Sequence, residues 1–253
     1  MLEIKNITKT FSSPPGEVWT LKDISLTVEK GEFVSIIGPS GCGKSTLFNI
    51  ISGLERPDRG KVLLSGQDIT GQKGHTAYML QKDLLLPWRT VLDNCILGLE
   101  VQGVARDVGR KRAEALLPEF GLEGFARSFP VVLSGGMRQR VAFLRTMLQG
   151  KEILLLDEPF GSLDAFTKGE MHGWLLKIWE KYHPTVLFIT HDVDEALLLS
   201  DRVYVLSTRP ATVKLDVEVK LERPRFRDLI TEDKFVKLKK LLLEALAQNK
   251  PHS

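Results

Sequence analysis

Gly38-Pro39-Ser40-Gly41-Cys42-Gly43-Lys44-Ser45-Thr46 has the residue types and spacing of a loop that wraps a chain of phosphates. Gly38, Gly41 and Gly43 let the backbone curl until successive N–H groups point inward at phosphate oxygens. Before the loop, Glu32-Phe33-Val34-Ser35-Ile36-Ile37 is β-branched and aromatic, as a buried strand is. After it, Leu47, Ile50 and Ile51 recur at helical spacing. A helix opening at Lys44 adds partial positive charge, about 0.3–1 kcal/mol for each nearby anion. Lys44 is placed to reach the β- and γ-phosphates, and the Ser45 hydroxyl to ligate Mg²⁺.

Two further runs end in chemistry. Ile153-Leu154-Leu155-Leu156 closes on Asp157 and Glu158. Paired carboxylates past a buried strand are costly without a cation or ligand. Asp157 is expected to hold Mg²⁺ beside Ser45, and Glu158 to orient or deprotonate an attacking water. Val186-Leu187-Phe188-Ile189-Thr190 ends at His191, a side chain able to hydrogen-bond a γ-phosphate from the same sheet edge. Leu133-Ser134-Gly135-Gly136-Met137-Arg138-Gln139-Arg140 opens a helix whose bare N–H groups would make a second anion site.

These elements need a frame, and 253 residues, 43% hydrophobic, suffice for one large core or two small ones. A net charge of +3 does not point to a dedicated nucleic-acid binder. With only Cys42 and Cys95, no disulfide framework is expected, which fits a reducing compartment. The first residues lack a signal peptide's apolar stretch, and no run of eighteen apolar residues suggests a membrane span.

Residues 1–30 alternate apolar and polar, predicting antiparallel strands about a turn at Ser12-Ser13-Pro14-Pro15-Gly16. Val62-Leu63-Leu64 before Ser65-Gly66-Gln67-Asp68 predicts another strand and turn. From Val91 to Leu148 the spacing is helical, and the runs at 153–156 and 186–189 read as central parallel strands. In the tail, Phe235, Leu238, Leu241, Leu242 and Ala245 share one helical face, expected to dock on its own domain.

Residues 133–140, just upstream of the Asp157-Glu158 strand, resemble the signature motif of ABC ATPases. The resemblance covers almost the whole chain. It implies an α/β P-loop NTPase with a RecA-like mixed sheet, an N-terminal antiparallel β subdomain and an inserted α-helical subdomain, the ABC ATPase fold. The nucleotide-binding domain would span 1–230, with the helical subdomain at about 88–148, followed by a C-terminal helix and tail at 231–253. It further implies that Gln81 touches Mg²⁺ and the attacking water, that Ser162-Leu163-Asp164 crosses a dimer interface, and that His191 is the switch histidine. Phe11 takes the place of the aromatic that stacks on adenine, with Trp19 as its rival. Two such domains would pair head to tail, each ATP lying between one chain's phosphate loop and the other's Ser134, Gly135, Gly136 and Met137. Met137 departs from the commonest signature, which has Gln there.

In ABC transporters, the stretch matching residues 82–100 builds a groove for a short cytoplasmic helix of the membrane subunit. Leu84, Leu85, Leu86 and Trp88 are candidates for its lining, with Thr90 capping the next helix. Leu85-Leu86-Pro87-Trp88, Met137 and the tail Leu206-Ser207-Thr208-Arg209-Pro210 with Leu221-Glu222-Arg223-Pro224-Arg225 are similar to the nitrate, sulfonate and taurine importer ATPases. The resemblance implies two ATPase subunits, identical or mixed, at the cytoplasmic face of the membrane. It also implies two permease subunits, an extracellular solute-binding protein reached through them, and no nucleic acid. Thiamine-precursor or other heterocycle uptake remains open, as does a soluble ATPase of iron–sulfur assembly.

Overall fold

The solid apolar runs of the sequence become the middle of a six-stranded sheet in the computed structural model, which describes residues 1–14 and 16–247. The strands are β3 (Phe33–Ile37), β6 (Thr76–Met79), β7 (Ile153–Asp157), β8 (Thr185–Ile189), β9 (Arg202–Leu206) and β10 (Val213–Glu218). Their order is β10-β9-β3-β8-β7-β6, and all pairs except β10 with β9 are parallel. Side chains alternate across the sheet. Phe33, Leu154, Leu156, Val186 and Phe188 join one apolar cluster, and Val34, Ile36, Ile153, Leu155, Leu187 and Ile189 join the other. Strands buried on both faces need no polar alternation, which is why they read as continuous apolar runs.

A second, antiparallel sheet has the order β2-β1-β4-β5. It comprises β1 (Leu2–Ser13), β2 (Gly16–Val28), β4 (Arg59–Leu64) and β5 (Gln67–Asp68). Leu2, Ile4, Ile7, Leu21, Ile24 and Val62 form its inner face and pack with α1 (Lys44–Ile51). The expected turn at 12–16 joins β1 to β2, though its Pro15 lies outside the described residues.

The helical stretch between β6 and β7 holds α2 (Val91–Cys95), α3 (Leu97–Val101), α4 (Arg106–Leu116), a 3-10 turn at Pro130–Val132 and α5 (Gly135–Met147). Asp93, buried on α2, receives Arg106 at 2.8 Å and Arg110 at 2.7 Å from α4. These guanidinium bonds outweigh burial and leave its carboxyl below the ordinary range. Phe120, Phe143 and Trp174 stack edge-on where this stretch meets α6 (Ala165–Tyr182). Cys42 and Cys95 are buried and unlinked. Among the described residues no helix is long and apolar enough to cross a membrane.

The tail forms α8 (Asp233–Ala247), packed on α7 (Val193–Leu199). Phe235 and Leu242 are buried and Leu238 and Ala245 pack beside them, but Leu241 is 42% exposed and turns from that face. At 100° per residue Leu241 sits too far round from the Phe235–Leu242 line to reach α7. Residues 248–253 of the expected tail lie outside the described residues.

Phe188 has no exposed surface and lies 5.7 Å from Phe33 and 6.2 Å from Phe160, centroid to centroid. Phe188→Ala is therefore expected to cost about 3–5 kcal/mol, measured as a lower urea midpoint at unchanged slope.

Candidate functional site

Parallel pairing brings four strand ends to one edge. The phosphate loop leaves β3, Asp157 and Glu158 leave β7, His191 follows β8, and Gln81 follows β6. In an open parallel sheet this carboxyl edge is where ligands bind.

The loop is closed by its own packing. Gly43 has φ +124°, and a Cβ there would lie 2.8 Å from Leu21 and 2.9 Å from Thr20, so only glycine fits between helix and hairpin. Lys44 is buried and its Nζ donates to the carbonyls of Gly38 at 2.9 Å and Pro39 at 3.1 Å. That arch holds the ammonium over the loop's mouth. Cys42 is buried within the loop, and burial pushes its thiol pKa up.

Asp157 is 6% exposed. Burial raises its pKa, against hydrogen bonds from Ser45 and Tyr78 that lower it. Tyr78 donates from β6 at 3.1 Å, a residue that pattern reading left as an ordinary strand position. A tyrosine one residue from the end of a strand carries no sequence signal that its hydroxyl meets a carboxylate 79 residues further along the chain.

Glu158 sits one residue past β7 with φ +45°, a left-handed conformation costing about 1–2 kcal/mol for a non-glycine residue. The turn is held by Glu158 N–H donating to Ile189 at 3.0 Å and by Gly161 N–H donating back to Glu158 at 3.1 Å. One oxygen of the Glu158 carboxylate, Oε2, meets Gln81 Nε2 at 3.3 Å and His191 Nδ1 at 3.4 Å. Gln81 and His191 thus converge on a single atom of Glu158.

Gln81 is placed by contacts that the sequence did not disclose. Arg145 of α5 donates to the carbonyls of Asp83 and Leu84, and Arg138 lies 3.3 Å from Asp83. Asn94, fully buried, donates to the carbonyls of Leu86, Arg89 and Thr90 and accepts from Leu86 N–H. The only sequence hint was an amide within an apolar helical run. Thr90 caps α2, its hydroxyl accepting from Asp93 N–H at 3.2 Å. This scaffold turns Leu84 and Trp88 outward, at 51% and 72% exposure. Leu85 and Leu86 are half-buried, and Leu85 packs against the core.

Ser134 caps α5, its hydroxyl accepting from Met137 N–H at 3.3 Å. The N–H groups of Gly135 and Gly136 have no acceptor within the helix. Among the described residues, no hydrogen bond or ion pair joins residues 134–137 to residues 38–46. The helix start instead abuts the 162–164 turn. A Cβ on Gly135 would lie 3.1 Å from Leu163, and one on Gly136 would lie 3.1 Å from Thr167. Asp164 caps α6, accepting from Phe166 and Thr167 N–H. Phe11 and Trp19 are both exposed. Phe11 pairs with Val18 and Trp19 with Thr10, on opposite faces of the hairpin, and Lys9 lies 5.0 Å from the Phe11 ring.

The residues fit a magnesium nucleotide. The loop mouth is lined with N–H groups and an ammonium, and a desolvated carboxylate waits beside a serine hydroxyl. Among the described residues, no three or more His, Cys, Asp or Glu side chains group as a metal site.

Residues 21–161 match the ABC transporter family. The chain is 41% identical to the nitrate import ATP-binding protein of Synechococcus elongatus, over 97% of this chain and 91% of that one. It is 39% identical to the aliphatic sulfonates import ATP-binding protein of Bacillus cereus, over 96% of this chain and 94% of that one. Among solved structures it resembles a dimeric ATP-binding cassette in a post-hydrolysis state bound to ADP and Pi. That likeness has a TM-score of 0.75 and 32% identity, covering 88% of this chain and all of that one.

A carboxyl whose folded pKa lies above its unfolded value loses stability as pH rises through the folded value. Asp157→Asn is therefore expected to raise the melting temperature of the nucleotide-free protein at pH 7. The gain is absent below the ordinary carboxyl value of 3.8. Calorimetry across pH checks both.

Proposed function

The chain belongs to the ABC transporter family, and from that premise we propose that it is the ATP-hydrolysing subunit of an importer for a small solute. The observation that carries the reading is the meeting of Gln81 and His191 on Glu158 Oε2, at the sheet edge where the phosphate loop opens. Residues 38–46 would cradle the phosphates of ATP, with Lys44 leaving its loop carbonyls for the β- and γ-phosphates. Mg²⁺, held by Ser45, Gln81 and Asp157, would supply positive charge for the phosphate oxygens. Glu158 would take the proton of the attacking water, a role worth about 10²–10⁴-fold in rate. Gln81 would orient that water and His191 would bond the γ-phosphate, both already fixed on the Glu158 carboxylate. Phe11, or Trp19 in its place, would stack on adenine.

The helix start at Ser134–Met137 would be supplied by a second ATPase subunit. Its own chain keeps it apart from residues 38–46, yet two of its N–H groups have no helical acceptor. Residues 162–164 lie beside it and would enter the same interface. ATP would then bridge two half-sites, and loss of the γ-phosphate would release them. The dimeric neighbour supports this arrangement.

Leu84 and Trp88, held outward by Asn94, would receive a helix of a permease subunit. That contact would place the chain at the cytoplasmic face of the membrane, with a solute-binding protein beyond the permease. The names of the relatives support import over iron–sulfur assembly, and favour an oxyanion such as nitrate or a sulfonate over a heterocycle.

Glu158→Gln is expected to bind ATP, lose at least about 10²-fold in hydrolysis and elute as a dimer in ATP and magnesium. A strictly monomeric protein with normal turnover would reject the reading. Trp88→Ala is expected to abolish solute uptake in reconstituted vesicles while basal ATPase stays within about twofold, since the side chain is mostly exposed. Parallel losses in both assays would assign Trp88 to packing instead.

A further inference from the structure

The Arg223-Pro224-Arg225 segment takes no part in the chemistry above, yet it contains the most deeply buried cation of the tail. Arg225 is 4% exposed. Its Nε donates to Leu221 at 3.2 Å, Nη1 to Leu197 at 3.0 Å and Ser200 at 2.6 Å, and Nη2 to Val219 at 3.1 Å and Leu221 at 3.0 Å. Every acceptor is a backbone carbonyl. The Asp201 carboxylate comes only to 4.0 Å. Burial pushes the guanidinium pKa down to about 10, which still leaves it charged at neutral pH. A buried cation without a bonded carboxylate is a poor way to add stability, because an apolar side chain of equal volume avoids the desolvation cost. Its geometry, five donors in a rigid fork, is what a hydrophobe cannot supply.

The carbonyls it gathers belong to two segments. Leu197 and Ser200 are the last turn and the C-cap of α7, where orphan acceptors and the helix dipole both favour a cation. Val219 and Leu221 belong to the tail. Arg223 adds a second clasp, stacked 4.0 Å over Trp179 of α6 and bonded to Asp201 and to the Leu199 carbonyl. Asp201 in turn accepts from Phe33 N–H of β3 at 3.0 Å. The far end of α7 begins at its N-cap Asp192, one residue after His191. There Lys168 bonds Asp192 at 3.0 Å, and the buried Glu195 receives Thr190 and His172. His191 thus hangs between two anchored residues at one end of a short helix, and Arg225 holds the other end.

We propose that residues 219–226 form a strap in which Arg225, acting through α7, is a positioning residue that sets His191 against Glu158. The proposal rests on the role given to His191 above. A seven-residue helix is too short to absorb a shift at one end by bending, so a displaced C-terminus moves the histidine with it.

The test is a double-mutant cycle on the full chain, read as single-turnover ATP hydrolysis and as nucleotide affinity. Arg225→Lys keeps a cation with fewer, unforked donors. It is expected to slow hydrolysis about tenfold with nucleotide affinity within about twofold, the signature of a misplaced group rather than a lost binding contact. With His191→Ala already present, Arg225→Lys should change the residual rate by less than about twofold, because coupled sites are not additive. An equal fractional loss in both backgrounds, or affinity falling in step with rate, would overturn the strap. Full turnover in His191→Ala alone would instead overturn the role of His191, and the strap with it. Should Arg225→Lys not fold, Arg223→Lys runs the same cycle: coupling to His191 supports the proposal and additivity overturns it.

Discussion

Parallel pairing of β3, β8, β7 and β6 is the constraint from which the site follows. Strands that run the same way must end at the same edge, so whatever residue follows each strand is delivered to one line. The loop at 38–46, Glu158, His191 and Gln81 are far apart in the chain and share no local interaction that could gather them. The sheet gathers them because its core side chains alternate into two apolar clusters, which fixes register as well as direction. A one-residue slip of β7 would carry one of Asp157 and Glu158 into the other's place and turn Leu154 and Leu155 to the wrong faces.

Around that edge the protein tolerates local cost in return for placement. Asp157 is desolvated, offset by hydrogen bonds from Ser45 and Tyr78 and by the charge of Lys44. Glu158 adopts a conformation that suits glycine better, and is held there by backbone bonds to Ile189 and Gly161. Arg225 keeps its charge among carbonyls. Each departs from what stability alone would select, and each lies at the carboxyl edge of the sheet or on an element attached to it.

The helical stretch is joined to the sheet differently. Arg138 and Arg145 of α5 hold the residues after Gln81, while the start of the same helix abuts the turn after Glu158. A movement of α5 is therefore felt at Gln81 and at residues 162–164 together. Under the proposed function, such a linkage would let nucleotide occupancy and the outward-facing Leu84 and Trp88 report to one another.

The sequence by itself determined the parts that are local. A glycine-rich loop between strand and helix, two carboxylates after an apolar run, a serine cap before two glycines and a threonine cap at residue 90 are each set by residues within a few positions of one another. Backbone sterics and hydrogen bonding at that range leave little choice, and the resemblance built on those motifs named the family. What lies beyond that range was decided by tertiary structure. Nothing near Tyr78 announces that it meets Asp157, and nothing near Asn94 or Arg145 announces that they shape the segment carrying Trp88. Nor does apolar spacing tell that Leu85 packs against the core while Leu84 stays exposed, or that Leu241 leaves the face shared by Phe235 and Leu242. Those outcomes depend on which surfaces the other elements bring alongside, and burial is a property of the assembled neighbours rather than of the residue.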